Sequence, residues 1–276
     1  MGSQHVHKAV FVAGAGHSGS TLLGHLLGNH AQAFYAGEAK KSIYIGDSTK
    51  PLRKRICKLC GEDCPLWSRF DPESKLHLYQ QLAHLSGRSV VVDSTKSIEW
   101  IERQRRTLPA QTEAYLLFLT RDGRAVVNSR VRKYPNRQPS DLIDDWRRQI
   151  EATEQLMQRF DGDTYEIRYE KLATEPEVIM RNLCNFLGLR YTPSMLRFDA
   201  SNHHPLGGNN GTQFLMSRAQ GQDPNQNALG DRIHAYYGSH PAGIQLDLRW
   251  RSELPDEVLR LFEKRAGTLN LRFRWP

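Results

Sequence analysis

The chemistry this chain can do is concentrated in a few short stretches. The first is Gly14 to Thr21, GAGHSGST. Gly14 and Gly19 stand five apart, the spacing of the phosphate loop G-x-x-x-x-G-K-[ST]. Glycines in such a loop let successive backbone N–H groups turn inward. The helix that follows points its positive end at the same spot, so an anion can be held there. Where that loop carries its lysine this chain has Ser20, followed by Thr21. The stretch suits a phosphate-like anion, but not in the usual manner of a nucleoside triphosphate hydrolase.

Three further stretches place polar groups where a strand hands over to a helix. SVVVDSTK, Ser89 to Lys96, is a β-branched run ending in Asp93, Ser94, Thr95 and Lys96. In a kinase, Asp93 would hold magnesium. In an enzyme that transfers an anionic group, Lys96 would be the cation facing it. The plain alternative is a helix cap before Ile98. YLLFLT, Tyr115 to Thr120, runs into RDGRAVVNSRVRK, where Ser129 follows Arg121 by eight residues. Arg as a fork and Ser as a donor can converge on one phosphate, although a solvated basic helix reads the same locally. Glu38 follows Gly37 in a turn beyond the first helix, within reach of the same end of the sheet.

Cys57, Cys60 and Cys64 form a C-x-x-C-x-x-x-C cluster in a basic loop. The first pair has zinc-knuckle spacing, but a second C-x-x-C is missing and Cys184 lies far off in an apolar helix. The cluster therefore reads as free thiols or a labile disulfide ahead of a structural zinc, and no metal ligand is assigned.

The elements that must position these groups alternate. Ala9 to Ala13 is a buried strand, followed by a helix from Ser20 to Leu27 with Leu22, Leu23, Leu26 and Leu27 on one face. Helical patterns over 71–87, 140–160, 176–188 and 255–266 separate strands at 89–93, 115–120 and 165–168. This is an α/β fold, a central parallel sheet flanked by helices, whose ligands bind beyond the carboxyl ends of the strands. Residues 200–245, rich in Gly, Asn, Gln and Pro, read as an irregular lid over the site. With no repeat and no linker, residues 1–276 are expected to form one domain.

The bulk numbers narrow the class. With 39% hydrophobic and 25% charged residues the chain is a globular protein rather than a disordered one. Its formal net charge of +8 fits an anionic ligand. Long Lys/Arg runs are missing, so nucleic acid is not the expected partner. No apolar run approaches the roughly 20 residues a spanning helix needs. The first residues have no signal-peptide core, so a cytoplasmic location without membrane insertion is expected.

As a set, these stretches resemble the sulfotransferases that use 3′-phosphoadenosine 5′-phosphosulfate (PAPS). GHSGSTLL, Gly16 to Leu23, is similar to that family's 5′-phosphosulfate loop, a P-loop NTPase-like feature without the Walker lysine. RDGRAVVNSRVRK is similar to its 3′-phosphate motif. RYEKL with PEVIMRNLCNFLGL resembles a further family signature, and C-x-x-C-G-x-x-C-P-x-W resembles bacterial members.

The resemblance implies PAPS as donor, adenosine 3′,5′-bisphosphate as product and no metal requirement. It implies a cofactor site of Gly16, His17, Ser18, Gly19, Ser20, Thr21, Arg121 and Ser129, with backbone donors of Ser18 to Thr21 on the 5′-phosphate. It also implies Lys96 as a catalytic cation and a histidine or glutamate as general base. Glu38 matches the glutamate version, with His203 and His204 as fallbacks. His17 departs from the family's Lys or Arg. It is expected to serve as a cation, its pKa raised by the donor's charge. The acceptor is a hydroxyl of a small molecule or carbohydrate. A small-molecule kinase using Asp93 for magnesium and a non-enzymatic polyanion-binding module remain the alternatives.

Overall fold

In chain order the strands are β1 (Lys8–Ala13), β2 (Ala33–Gly37), β3 (Val90–Asp93), β4 (Glu113–Thr120) and β5 (Asp163–Arg168). In a computed structural model, which describes residues 5–221, 237–238 and 242–276, they form one sheet in the order β2-β3-β1-β4-β5. Every pair is parallel, so each connection needs a crossover, and the helices supply it.

The helices are α1 (Ser20–Gly28), α2 (Leu52–Arg55), α3 (Leu78–Ser86), α4 (Ile98–Thr107), α5 (Gly123–Lys133) and α6 (Pro139–Arg159). After β5 come α7 (Tyr169–Thr174), α8 (Pro176–Phe186), α9 (Asn210–Ala219), α10 (Trp250–Glu253) and α11 (Asp256–Asn270). Among the described residues no helix is long and apolar enough to cross a membrane.

Central β1 explains why its sequence is apolar on both sides. Val10 and Val12 pack under the leucines of α1 and the apolar face of α8, around Met180 and Leu183. Ala9, Phe11 and Ala13 face Tyr79 and Leu82 of α3, Trp100 and Ile101 of α4, and Leu156 of α6. Both faces are covered, as parallel sheets require. A third apolar cluster joins α5, α6 and α11 around Trp146 and Phe262, whose rings lie 5.5 Å apart.

The structure departs from the sequence pattern in three places. The helix expected over 71–87 begins only at Leu78. Before it, the Asp71 carboxylate accepts the Glu73 N–H at 2.9 Å and folds a turn that leaves Leu76 exposed. Residues 33–37 form the edge strand β2, where the sequence reading recognised only the Gly37–Glu38 turn.

The expected lid over 200–245 is ordered in its first half. Leu206 pairs with Gly37 in parallel and with Cys57 in antiparallel sense. Asn209 then caps α9, its side chain accepting the Thr212 N–H at 3.0 Å. Buried Leu206, Phe214 and Met216 anchor the stretch within polar surroundings that hide them from a composition count. Residues 222–236 and 239–241 of that expectation lie outside the described residues.

Because all strands are parallel, the segments after β1, β2, β3 and β4 emerge on one edge. The glycine loop, Glu38, Lys96 and Arg121 are thereby brought together.

Candidate active site

The loop between β1 and α1 is shaped by backbone that other residues could not follow. Gly14 has φ +120°, and a Cβ there would sit 2.3 Å from the Leu119 carbonyl. Gly19, at φ +95°, precedes α1 without offering a side-chain cap, so the first-turn amides are left for another acceptor. His17 also holds a positive φ, 76°, uncommon for a residue with a side chain.

Three arginine and glutamine contacts fix the loop from outside. The Gly16 N–H donates to Gln149 Oε1 at 3.0 Å, and the Gly16 carbonyl accepts from Arg130 at 3.2 Å. Arg121 donates to the His17 carbonyl at 3.0 Å, while His17 Nδ1 lies 2.8 Å from Ser129 Oγ. The spacing of Arg121 and Ser129 thus converges on one residue of the loop.

Gly16, His17, Gly19, Ser20, Thr21, Arg121 and Ser129 all line a cleft of about 480 Å³, together with Glu38 and Lys96. Ser18 does not. It is buried beneath the loop, with its N–H on the Ala15 carbonyl at 3.3 Å.

Burial, then the Lys133, Arg130 and Arg121 cations, push the His17 imidazole down to about 3. Without a donor the His17 imidazole is thus held neutral, and the expected rise beside the donor's charge belongs to the bound state. Burial lowers Lys96 to about 8, with the Glu38 and Asp93 charges opposing. Its Nζ donates to the Val12 and Ser94 carbonyls at 3.1 and 2.5 Å, so it is held at the ends of β1 and β3.

Glu38 follows β2 with its N–H on the Leu206 carbonyl at 2.6 Å. Its carboxylate pairs with Lys41 at 2.8 Å and accepts the Gly208 N–H at 3.2 Å. Burial pushes that carboxyl up, but Lys41, Lys96 and the Gly208 N–H outweigh it and hold it below the usual carboxylate range.

The sequence reading missed the arrangement around Arg121. Asp247 receives Arg121 at 3.2 Å and both arms of Arg249 at 2.7 Å. Arg121 also stacks on Tyr169, 4.3 Å from the ring centroid. A carboxylate held between two guanidiniums marks a place that accepts an anion. Asp247 and Arg249 stand two apart in the sequence, but nothing there aimed them at Arg121. Gln149 had no signal at all.

The sequence model of the sulfotransferase family matches residues 9–193. The chain belongs to the sulfotransferase family. A search of the curated proteins found no match. Among solved structures, the sulfotransferase domain of the curacin biosynthetic pathway shares 18% identity at a TM-score of 0.52, covering 99% of this chain and 100% of that one. The sulfotransferase domain of the Synechococcus PCC 7002 olefin synthase shares 19% at 0.51, over 95% and 96%. Mouse sulfotransferase SULT7A1, complexed with PAP, shares 10% at 0.51, over 96% and 88%. At these identities the likeness is one of fold, a P-loop NTPase-like parallel sheet with flanking helices.

In this sulfotransferase Asp93 is not available to magnesium. One oxygen accepts the Ala39 and Thr95 N–H groups at 3.0 and 2.8 Å. The other accepts from the Tyr79 hydroxyl at 2.6 Å and Trp100 Nε1 at 2.9 Å. The kinase assignment of Asp93 is overturned by those four donors. Asp93→Asn should cost on the order of 3 kcal/mol in stability, because an amide turns N–H groups toward buried donors left unpaired. Urea unfolding reads this, and a neutral result would contradict the network.

Neither fallback base lines the cleft. His203 is buried, its ring 4.6 Å from that of His25 and its Nε2 2.9 Å from Asn29 Oδ1. His204 faces the cysteine cluster.

Proposed function

We propose that this sulfotransferase moves the sulfuryl group of PAPS to a hydroxyl of a small-molecule or carbohydrate acceptor, with Glu38 as general base. The observation that carries the reading is the convergence of the uncapped α1 terminus, Arg121, Ser129, Lys96 and Glu38 on one cleft. PAP in the crystals of a mouse protein of this fold supports the same donor.

The residues fit such a donor. Arg121, which lines the cleft, has its Nε buried without a hydrogen-bond partner among the described residues. The Asp247 carboxylate on Arg121 supports the reading that this guanidinium takes an anion. When bound, PAPS supplies an activated sulfuryl group and leaves as adenosine 3′,5′-bisphosphate.

The chain's own groups do the remainder. The first-turn amides of α1 hold the 5′-phosphate by hydrogen bonds and the helix dipole. Arg121 and Ser129 take the 3′-phosphate, with His17 Nδ1 orienting the Ser129 hydroxyl. Lys96 offsets charge growing on the bridging oxygen. Glu38 accepts the acceptor's proton as the new S–O bond forms. Magnesium has no role in this scheme.

The test is transfer of labelled sulfate from PAPS to a panel of sugars, phenols and lipid headgroups, without added magnesium. Absence of both transfer and PAP binding would refute the reading. Arg121→Ala should weaken PAP binding by about 1.5–3 kcal/mol, roughly 10- to 150-fold, read by calorimetry.

A further inference from the structure

Outside the cleft, the fold completes a cluster that the sequence left one ligand short. His204, 144 residues beyond Cys60, places Nδ1 3.1 Å from Cys60 Sγ and 3.4 Å from Cys64 Sγ. The ligand atoms of Cys57, Cys60, Cys64 and His204 all lie within 4.8 Å of one another. All four cysteines of the chain are unpaired.

The loop is preshaped for holding a metal. Cys57 Sγ accepts the Leu59 and Cys60 N–H groups at 3.5 and 3.4 Å, hydrogen bonds that would stabilise a thiolate. Gly61, at φ +72°, turns the chain back so that its N–H meets the Cys57 carbonyl at 3.2 Å. Trp67 Nε1 donates to the His204 carbonyl at 2.6 Å and fixes that residue from behind. Cys57 and Cys64 are each 1% exposed, so the site is closed on its inner side.

We propose that Cys57, Cys60, Cys64 and His204 bind one zinc ion as a structural centre. Three thiolates and one imidazole are a soft, four-donor set that suits Zn²⁺. Zinc holds sulfur at about 2.3 Å and nitrogen at about 2.0–2.1 Å, so tetrahedral donors stand roughly 3.3–3.8 Å apart. The His204–Cys64 contact of 3.4 Å falls within that spacing and the His204–Cys60 contact of 3.1 Å just below it, so a small outward shift of the donors would seat the ion. Four protein ligands leave no open position, so the ion would not be a catalyst.

The sequence reading assigned no metal ligand because it had three cysteines and no fourth donor, and it kept His204 as a reserve base. The proposal would replace both assignments.

The centre would act as a staple. It ties the loop of residues 57–64 to the segment of residues 204–206, already paired through Cys57 and Leu206. The Lys58 N–H meets the Pro205 carbonyl at 2.9 Å in the same seam. Two residues on, Gly208 donates to Glu38, and the Leu206 carbonyl holds the Glu38 N–H. Removing the ion should loosen the frame of Glu38, a consequence that rests on the proposed function, whereas the zinc site itself does not.

The test uses the full chain purified under reducing conditions. Elemental analysis should find about one zinc per chain, retained on dialysis. Cobalt exchanged into the site should show the intense visible bands of a tetrahedral centre with thiolate-to-cobalt charge transfer. His204→Ala and Cys60→Ser should lose the metal. If these variants fail to fold, the wild-type thiols decide: Cys57, Cys60 and Cys64 should resist alkylation until a chelator removes the ion. Overturning results would be metal well below one equivalent that added zinc does not raise, a cobalt spectrum without thiolate bands, or thiols equally reactive with and without chelator. PAP binding, measured separately, keeps failure here distinct from failure of the sulfotransfer reading.

Discussion

Glu38→Gln should lower turnover by about 10²–10⁴-fold and leave PAP affinity unchanged. The carboxylate stands at the carboxyl end of β2, on the same cleft as Lys96. A glutamine keeps the shape and can still accept the Gly208 N–H, but it cannot take a proton. It also gives up the ion pair with Lys41. A fall in kcat without a change in PAP affinity therefore separates loss of the base from damage to the donor site.

The pH profile gives a second reading. Lys41, Lys96 and the Gly208 N–H hold the Glu38 carboxyl below its ordinary range against the push of burial. Activity should then persist below the pH at which a free glutamate is protonated, and fall only when Glu38 gains its proton. Lys41→Met removes one of those cations and should move the acid limb upward. A Glu38→Gln enzyme with normal turnover would exclude Glu38 as the base.

Lys96→Met should lower turnover by about 10²–10³-fold, the usual cost of removing one donor aimed at a developing negative charge. Burial lowers the Lys96 ammonium to about 8. A cation with that pKa is charged below it and neutral above it. Activity that needs the charge is complete at neutral pH and is lost as pH rises through about 8.

Lys96→Arg should keep part of the activity and carry the alkaline limb to higher pH, since a guanidinium does not titrate there. His17→Arg is the control: a limb it leaves in place belongs to Lys96, whereas a limb it flattens belongs to a His17 imidazole charged beside the donor. A limb that stays near 8 in Lys96→Arg would show that another group titrates.

Much of the frame was legible because local rules act locally. The apolar run of β1, the leucine face of α1 and the strand at Tyr115–Thr120 needed no partner to be read. The Arg121–Ser129 spacing was equally local, and the parallel sheet carried it to the glycine loop. Strand β2 was missed because AFYAG is short and ends in a bulge-like irregularity between Tyr35 and Gly37. The first half of the expected lid was missed because a few buried apolar residues sat in a polar stretch. Pairing of Leu206 with Gly37 is a long-range bond that no window of sequence contains.

The sequence by itself determined a phosphate-type loop with serine in place of lysine, and the strand-to-helix junctions that supply its cations. Those properties depend on residue type and short spacing, and a parallel sheet delivers all of its carboxyl ends to one edge. Tertiary structure decided what state each group would hold. Four buried donors closed Asp93 to magnesium, and burial with three cations lowers the His17 imidazole in the donor-free fold. Packing also set Asp247 between Arg121 and Arg249 and brought His204 to the cysteines. Desolvation and through-space charge depend on which distant segments meet, so only the folded chain could settle them.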